Sequence, residues 1–194
     1  MAPALLIMIG VGWIIGIIIV LLVIVLISYF NRFAVLQNRI ENSSSQIEVQ
    51  LKKRADLVPN LVEATKGYMK HEKSIITEVT VARKALVSAG DKDLGKKLKA
   101  GDELQGVIGR LFALAENYPN LKANENFLQL QNELSAIEDK VAYARQYYND
   151  SVLEYDNLFS TFPGNFFAMI FRKKQQEYLK ISEAEKAVPK VKFD

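Results

Sequence analysis

The chain has 194 residues, 25 Lys and Arg against 22 Asp and Glu, and no cysteine. Without cysteine there are no disulfides, thiolate zinc sites or cysteine nucleophiles, and a formal net charge of +3 is too near balance to commit the protein to nucleic acid. Every charge lies beyond residue 31, which sets the first segment apart from the rest.

Residues 4–27 carry no charged side chain, and eighteen of them are Leu, Ile or Val. At ~1.5 Å per residue a helix of that length spans ~36 Å, enough to cross a hydrocarbon core of ~30 Å with some tilt. A cleaved signal peptide would need a positive start, an apolar core of ~7–15 residues and a small-x-small cleavage site. None is present, so residues 1–28 read as a transmembrane anchor that stays. Arg32 and Arg39 follow it and place the remainder, residues 29–194, on the cytoplasmic side with the N-terminus outside. Within the anchor Gly12 and Gly16 form a small-xxx-small pair that lets two helices approach closely and self-associate, although glycine is also simply common in such helices.

From Tyr29 the positions Phe33, Leu36, Ile40, Ile47, Leu51, Ala55 and Val58 step by threes and fours, with Ser44 admitted where the stripe wants a larger side chain. The anchor therefore continues into the first helix of the domain. Pro59 lacks a backbone donor, and Asp56 is placed to cap a new helix, which predicts a break near residues 54–57. A second helix reaches about Ala89, and the lysine- and glycine-rich residues 88–101 read as a loop. A third helix begins near Asp102, where Gly106 and Gly109 suggest close packing, and ends at Tyr118-Pro119. The fourth, capped by Asn124, carries a seam of Phe127, Leu130, Leu134, Ile137, Val141, Ala144, Tyr148, Ser151, Tyr155, Leu158 and Phe162 until Pro163-Gly164. That is the heptad pattern of a bundle or coiled-coil helix. The fold class is all-α: a transmembrane helix continuing into an up-down antiparallel four-helix bundle.

In that topology Phe162 returns to the level of Tyr29. The following Phe166, Phe167, Met169, Ile170 and Phe171, with Arg172, Lys173 and Lys174, combine apolar groups for the acyl boundary with cations for headgroups. Residues 162–194 are expected to be membrane-proximal; alternatively the apolar members plug the open end of the bundle. Residues 188–192 read as an extended tail.

No catalytic, cofactor-binding or metal site is expected. His71, the single histidine, has no second histidine four residues on and reads as a helix-surface residue. Residues 90–97 imitate a phosphate loop but place Lys97 where Ser or Thr must hold magnesium. The basic runs at 52–54 and 172–174 sit in no nucleic-acid motif, and lipid is the more plausible anion.

Residues 38–43 (Asn-Arg-Ile-Glu-Asn-Ser), 50–62 (Gln-Leu-Lys-Lys-Arg-Ala-Asp-Leu-Val-Pro-Asn-Leu-Val), 114–124 and the closing Val-Pro-Lys-Val at 188–191 resemble the bacterial LemA family over roughly residues 29–193. The resemblance implies an all-α bundle on one N-terminal helix in a bacterial envelope, with no established enzymatic activity. One departure is Ser44, where the family usually has an aromatic. Among the shared polar residues, some of Asn38, Arg39, Glu41 and Asn42 should face neighbouring helices and be hydrogen-bonded there. Asp56, Asn124, Tyr118 and Pro119 take cap and turn roles. The first functional reading is a non-enzymatic scaffold that self-associates and organises the inner membrane, with lipid and its own copies as partners. The second is an adaptor for a partner membrane protein through the first two helices, and the third an enzyme using carboxylates and tyrosines.

Overall fold

The computed structural model describes residues 2–90 and 93–179, with side chains from Gly10 onward. The described residues contain no strand. The helices are α1 (Ala2–Lys66), α2 (Lys73–Ser88), α3 (Leu94–Ala115), the single turn α4 (Pro119–Lys122), α5 (Glu125–Ser160) and α6 (Gly164–Ile170). They gather into two compact units, Met1–Glu41 with Asp150–Glu177, and Asn42–Asn149 with Tyr178–Asp194. The bundle belongs to the second unit: short connections after α1, α2 and α3 force successive helices to run antiparallel. The extended reading of residues 188–192 lies outside the described residues.

The expected break near residues 54–57 is absent. α1 runs for 65 residues with Pro59 inside it. Proline at 59 cannot donate to the carbonyl four residues back, that of Ala55. Arg83 of α2 donates to that carbonyl instead, Nε to O at 2.7 Å, and the exposed proline ring leaves the helix intact. Asp56 is consequently an exposed mid-helix residue and not a cap. The chain turns later, where the amides of Tyr68 and Met69 both return to the Thr65 carbonyl and Met69 is buried. His71 lies exposed in this turn, not on a helix.

The stripe on α1 needs another correction. Ser43, not Ser44, takes the inward position between Ile40 and Ile47, fully buried where a small side chain fits. Asn38, Arg39, Glu41 and Asn42 are all exposed rather than buried between helices, and the expected bond to a neighbouring helix is made at the surface, by Arg39. Arg39 pairs with Glu154 at the surface, 3.1 Å apart.

Residues 94–101 are helix, not loop. The Asp93 carboxylate accepts the Lys96 amide at 3.0 Å and caps α3, and that bond holds Asp93 below the usual carboxylate range. The stretch looked polar because Lys96 and Lys99 point to water, while Leu98 and Gly101 are buried.

Gly101 is the close approach between helices. A Cβ there would stand 2.6 Å from Leu51 Cδ2, whereas Gly106 and Gly109 have nothing within 4 Å and do not mark packing. Beside it Arg54, fully buried, donates to the Gly101 carbonyl at 3.0 Å and to the Glu138 carboxylate of α5. Burial lowers the Arg54 pKa while Glu138 opposes that shift. Arg145 of α5 pairs with Asp102 of α3, so three helices are tied at one level. The α5 seam is buried at Phe127, Leu134, Ile137, Val141, Ala144, Ser151, Tyr155 and Leu158.

Replacing Arg83 with Ala should cost ~1–2 kcal/mol by leaving the Ala55 carbonyl without its donor. In a Pro59→Ala background, where the amide is restored, the cost should fall below ~0.5 kcal/mol, a coupling that urea denaturation of the four cycle members reads directly. Gly101→Ala should destabilise by ~1 kcal/mol through overpacking against Leu51, whereas Gly106→Ala should stabilise by ~0.5–1 kcal/mol through helix propensity; thermal melts of both variants check the opposite signs.

Candidate membrane-facing site

The site lies within the first unit. Residues 10–27 of α1 are exposed on every side, and this is a helix long and apolar enough to cross a membrane. Immediately past it come Tyr29, Phe30 and Phe33, spaced so that they form a ridge on one side of the helix. α6 packs on that ridge. Phe167 stacks on Tyr29 with ring centroids 4.5 Å apart, and Phe171 meets Phe30 edge-on at 5.3 Å and Phe33 at 6.4 Å. Tyr155 of α5 closes on Phe33 at 5.6 Å. Its phenol is pushed above the ordinary range by burial and stays neutral.

A small residue lets α6 start directly against the end of α5. A Cβ on Gly164 would lie 2.0 Å from the Leu158 carbonyl oxygen, so only glycine fits after the cis Phe162–Pro163 peptide. Ala168 is buried beneath the same helix. Beyond α6 the chain turns at Arg172, with a φ of 51°. The Lys173 amide then donates to the Ala168 carbonyl at 2.9 Å, and its ammonium donates to Gln37 at 3.1 Å. Asp156 accepts from the Gln175 side chain at 3.3 Å and the Gln176 amide at 3.4 Å, which lays residues 175–176 along α5.

The residues assigned to lipid contact therefore divide. Phe167, Phe171 and Lys173 are engaged with the protein, the plugging alternative. Phe166, Met169 and Ile170 are 56%, 76% and 48% exposed, and their spacing places them on one face beside the exposed Arg172 and Lys174. Phe162, expected on the α5 seam, is 85% exposed instead, because the helix unwinds at Thr161 before the register reaches it. The ridge of Tyr29, Phe30 and Phe33 as the seat of α6 was missed; three aromatics within one turn and a half at the end of an apolar span were the available signal. In the anchor, a Cβ at Gly12 or Gly16 would meet nothing within 4 Å, so that face is open.

Elsewhere, Asn124 Oδ1 accepts the Phe127 amide at 3.1 Å, Tyr118 donates to Glu72 at 3.1 Å, and Pro119 opens α4. Among the described residues no group of three His, Cys, Asp or Glu side chains is arranged to hold a metal ion.

A family model described as the LemA family matches residues 43–193. Magnetosome protein MamQ of Magnetospirillum gryphiswaldense is 27% identical over 177 residues, covering 79% of this chain and 65% of that protein. Magnetosome protein MamQ 1 of Paramagnetospirillum magneticum matches to the same extent. Protein LemA of Metamycoplasma hominis is 28% identical over 126 residues, 65% of this chain and 57% of that protein. The chain thus spans less than two thirds of the length of these relatives.

Truncating Phe167 to Ala removes a stacked ring and should lower stability by ~2–3 kcal/mol. Met169→Ser on the free face should stay within ~0.5 kcal/mol of the parent. Thermal unfolding of the full chain in detergent compares the two.

Proposed function

The chain belongs to the LemA family, and from that premise we propose that it is a membrane-anchored scaffold without catalytic activity, which self-associates and organises or remodels the bacterial inner membrane. Membrane association is the coarser part of this reading, and neither the family's description nor the relatives' names denote an enzyme. The observation that carries the finer part is the free face of α6, Phe166, Met169 and Ile170 beside Arg172 and Lys174, held against the first aromatic residues after the apolar span. Burying those three partly exposed side chains at the acyl boundary is worth ~1 kcal/mol each. Two cations near anionic lipid add ~1 kcal/mol each.

A helix already tethered beside a transmembrane segment loses little further entropy on docking, so α6 sits in the headgroup layer. There it occupies area in one leaflet only. Copies joined through the Gly12 and Gly16 face multiply that asymmetry into curvature or a local patch of ordered membrane. Arg32 and Arg39 favour the cytoplasmic leaflet for α6. The second reading, an adaptor for another membrane protein, draws on Val49, Val81 and Val87, apolar side chains exposed on α1 and α2.

The native chain contains no cysteine, so Met169→Cys carries a single fluorescent label. In proteoliposomes of the full chain that label should be quenched by lipids brominated near the headgroup and protected from aqueous iodide; quenching by iodide alone would overturn the placement of α6. Full-length protein crosslinked in membranes should form homo-oligomers, and Gly16→Ile should reduce them several-fold. A parent protein that stays monomeric in lipid would remove the scaffold and leave the adaptor.

A further inference from the structure

Between the start of the cytoplasmic part of α1 and the last turns of α5 lies a groove of about 330 Å³ lined by, among others, Tyr29, Arg32, Glu154, Asn157, Thr161 and Phe162. We propose that this groove binds the phosphodiester headgroup of a membrane phospholipid, with Arg32 as its principal ligand. The inference rests on α1 crossing the bilayer, but not on α6 entering it.

Position is the first argument. Arg32 lies five residues past Ile27, the end of the apolar span, which is ~7.5 Å along the helix. The headgroup layer on each side of a ~30 Å core is ~5–7.5 Å deep, so the Arg32 backbone stands at its outer edge, and because helix side chains lean toward the N-terminus the guanidinium reaches back toward the phosphates. Volume is the second. The groove is at the small end of ligand clefts, ~300–1,000 Å³, which suits a headgroup and not an acyl chain. Phe162 at its rim, 85% exposed, gives the lipid's glycerol and upper methylenes an apolar surface.

The polar groups decide the sign of the ligand. Arg32 makes no hydrogen bond or ion pair among the described residues, and its planar fork matches a phosphate in two parallel bonds. Asn157 adds an amide donor. Thr161 is committed elsewhere, since its hydroxyl donates to the Asn157 carbonyl at 2.7 Å. Glu154 is the one lining carboxylate, and Arg39 pairs with it at 3.1 Å, which offsets its repulsion of an anion. With Arg32, Arg39 and Glu154 the local charge is +1, which a phosphodiester neutralises.

The test uses the full chain extracted from vesicles of phosphatidylglycerol and phosphatidylethanolamine and examined by native mass spectrometry. The parent should retain one phospholipid. Arg32→Ala should lower its occupancy at least fivefold, Arg32→Lys should be intermediate, and Lys84→Ala, which removes an exposed cation of α2, should leave it unchanged. Asn157→Asp, which adds a carboxylate without altering the helix, should also lower occupancy, and unchanged circular dichroism of each variant excludes unfolding. Equal occupancy in the parent and Arg32→Ala, or no retained lipid in the parent, overturns the proposal. Displacement of the lipid by millimolar inorganic phosphate overturns it too, because the site would then read a free anion. The Met169 label reports separately: quenching that persists in Arg32→Ala leaves the α6 reading standing whichever way the groove experiment falls.

Discussion

The structure depends on one backbone hydrogen bond that proline cannot make. A helix of 65 residues is continuous only if each carbonyl finds a donor or water, and Pro59 withdraws the donor owed to Ala55. The Arg83 guanidinium supplies it from α2. The bond satisfies the Ala55 carbonyl within the second unit, and it fixes α2 to α1 at the same point. A helix break there would have moved Val58 and Leu61, both buried, out of the core stripe.

The second tie is ionic. A fully buried Arg54 is tolerated because both of its bonds are to strong acceptors, the Glu138 carboxylate and the Gly101 carbonyl. That carbonyl is reachable because residue 101 has no side chain to hold α1 and α3 apart. A buried pair of this kind contributes little net stability against a well-packed apolar substitute, but breaking it is costly. It therefore acts against alternative registers: sliding α1 by one turn along α3 would strand the guanidinium.

In the first unit a glycine again permits the close approach, here of Gly164 to the Leu158 carbonyl at the end of α5, and Phe167 and Phe171 seat the following turns on the aromatic ridge of α1. Once Phe167 and Phe171 are used for packing, helical geometry leaves Phe166, Met169 and Ile170 on the opposite side. The free apolar face is thus a by-product of the seating, and it carries the proposal of lipid contact. Phe167 and Phe171 look identical to Phe166 in sequence, because a helix of seven residues, five of them from Phe166 to Ile170 apolar in unbroken succession, has no pattern that tells inside from outside.

The all-helical class, the apolar span and the seam of α5 up to Leu158 were legible in the sequence because each is a property of spacing along one chain, and the family was legible through the resemblance of four short segments to its members. What only the tertiary structure decided involves a second element each time. Arg83 cancels the break at Pro59, and Asp93 starts α3 inside what composition marks as a loop. Ser43 and not Ser44 completes the α1 stripe, because the bundle turns that face inward. Local patterns specify which residues are free to form a helix; the hydrogen-bond partners and close approaches that decide where it stops, and which of its sides stays open, come from elsewhere in the chain.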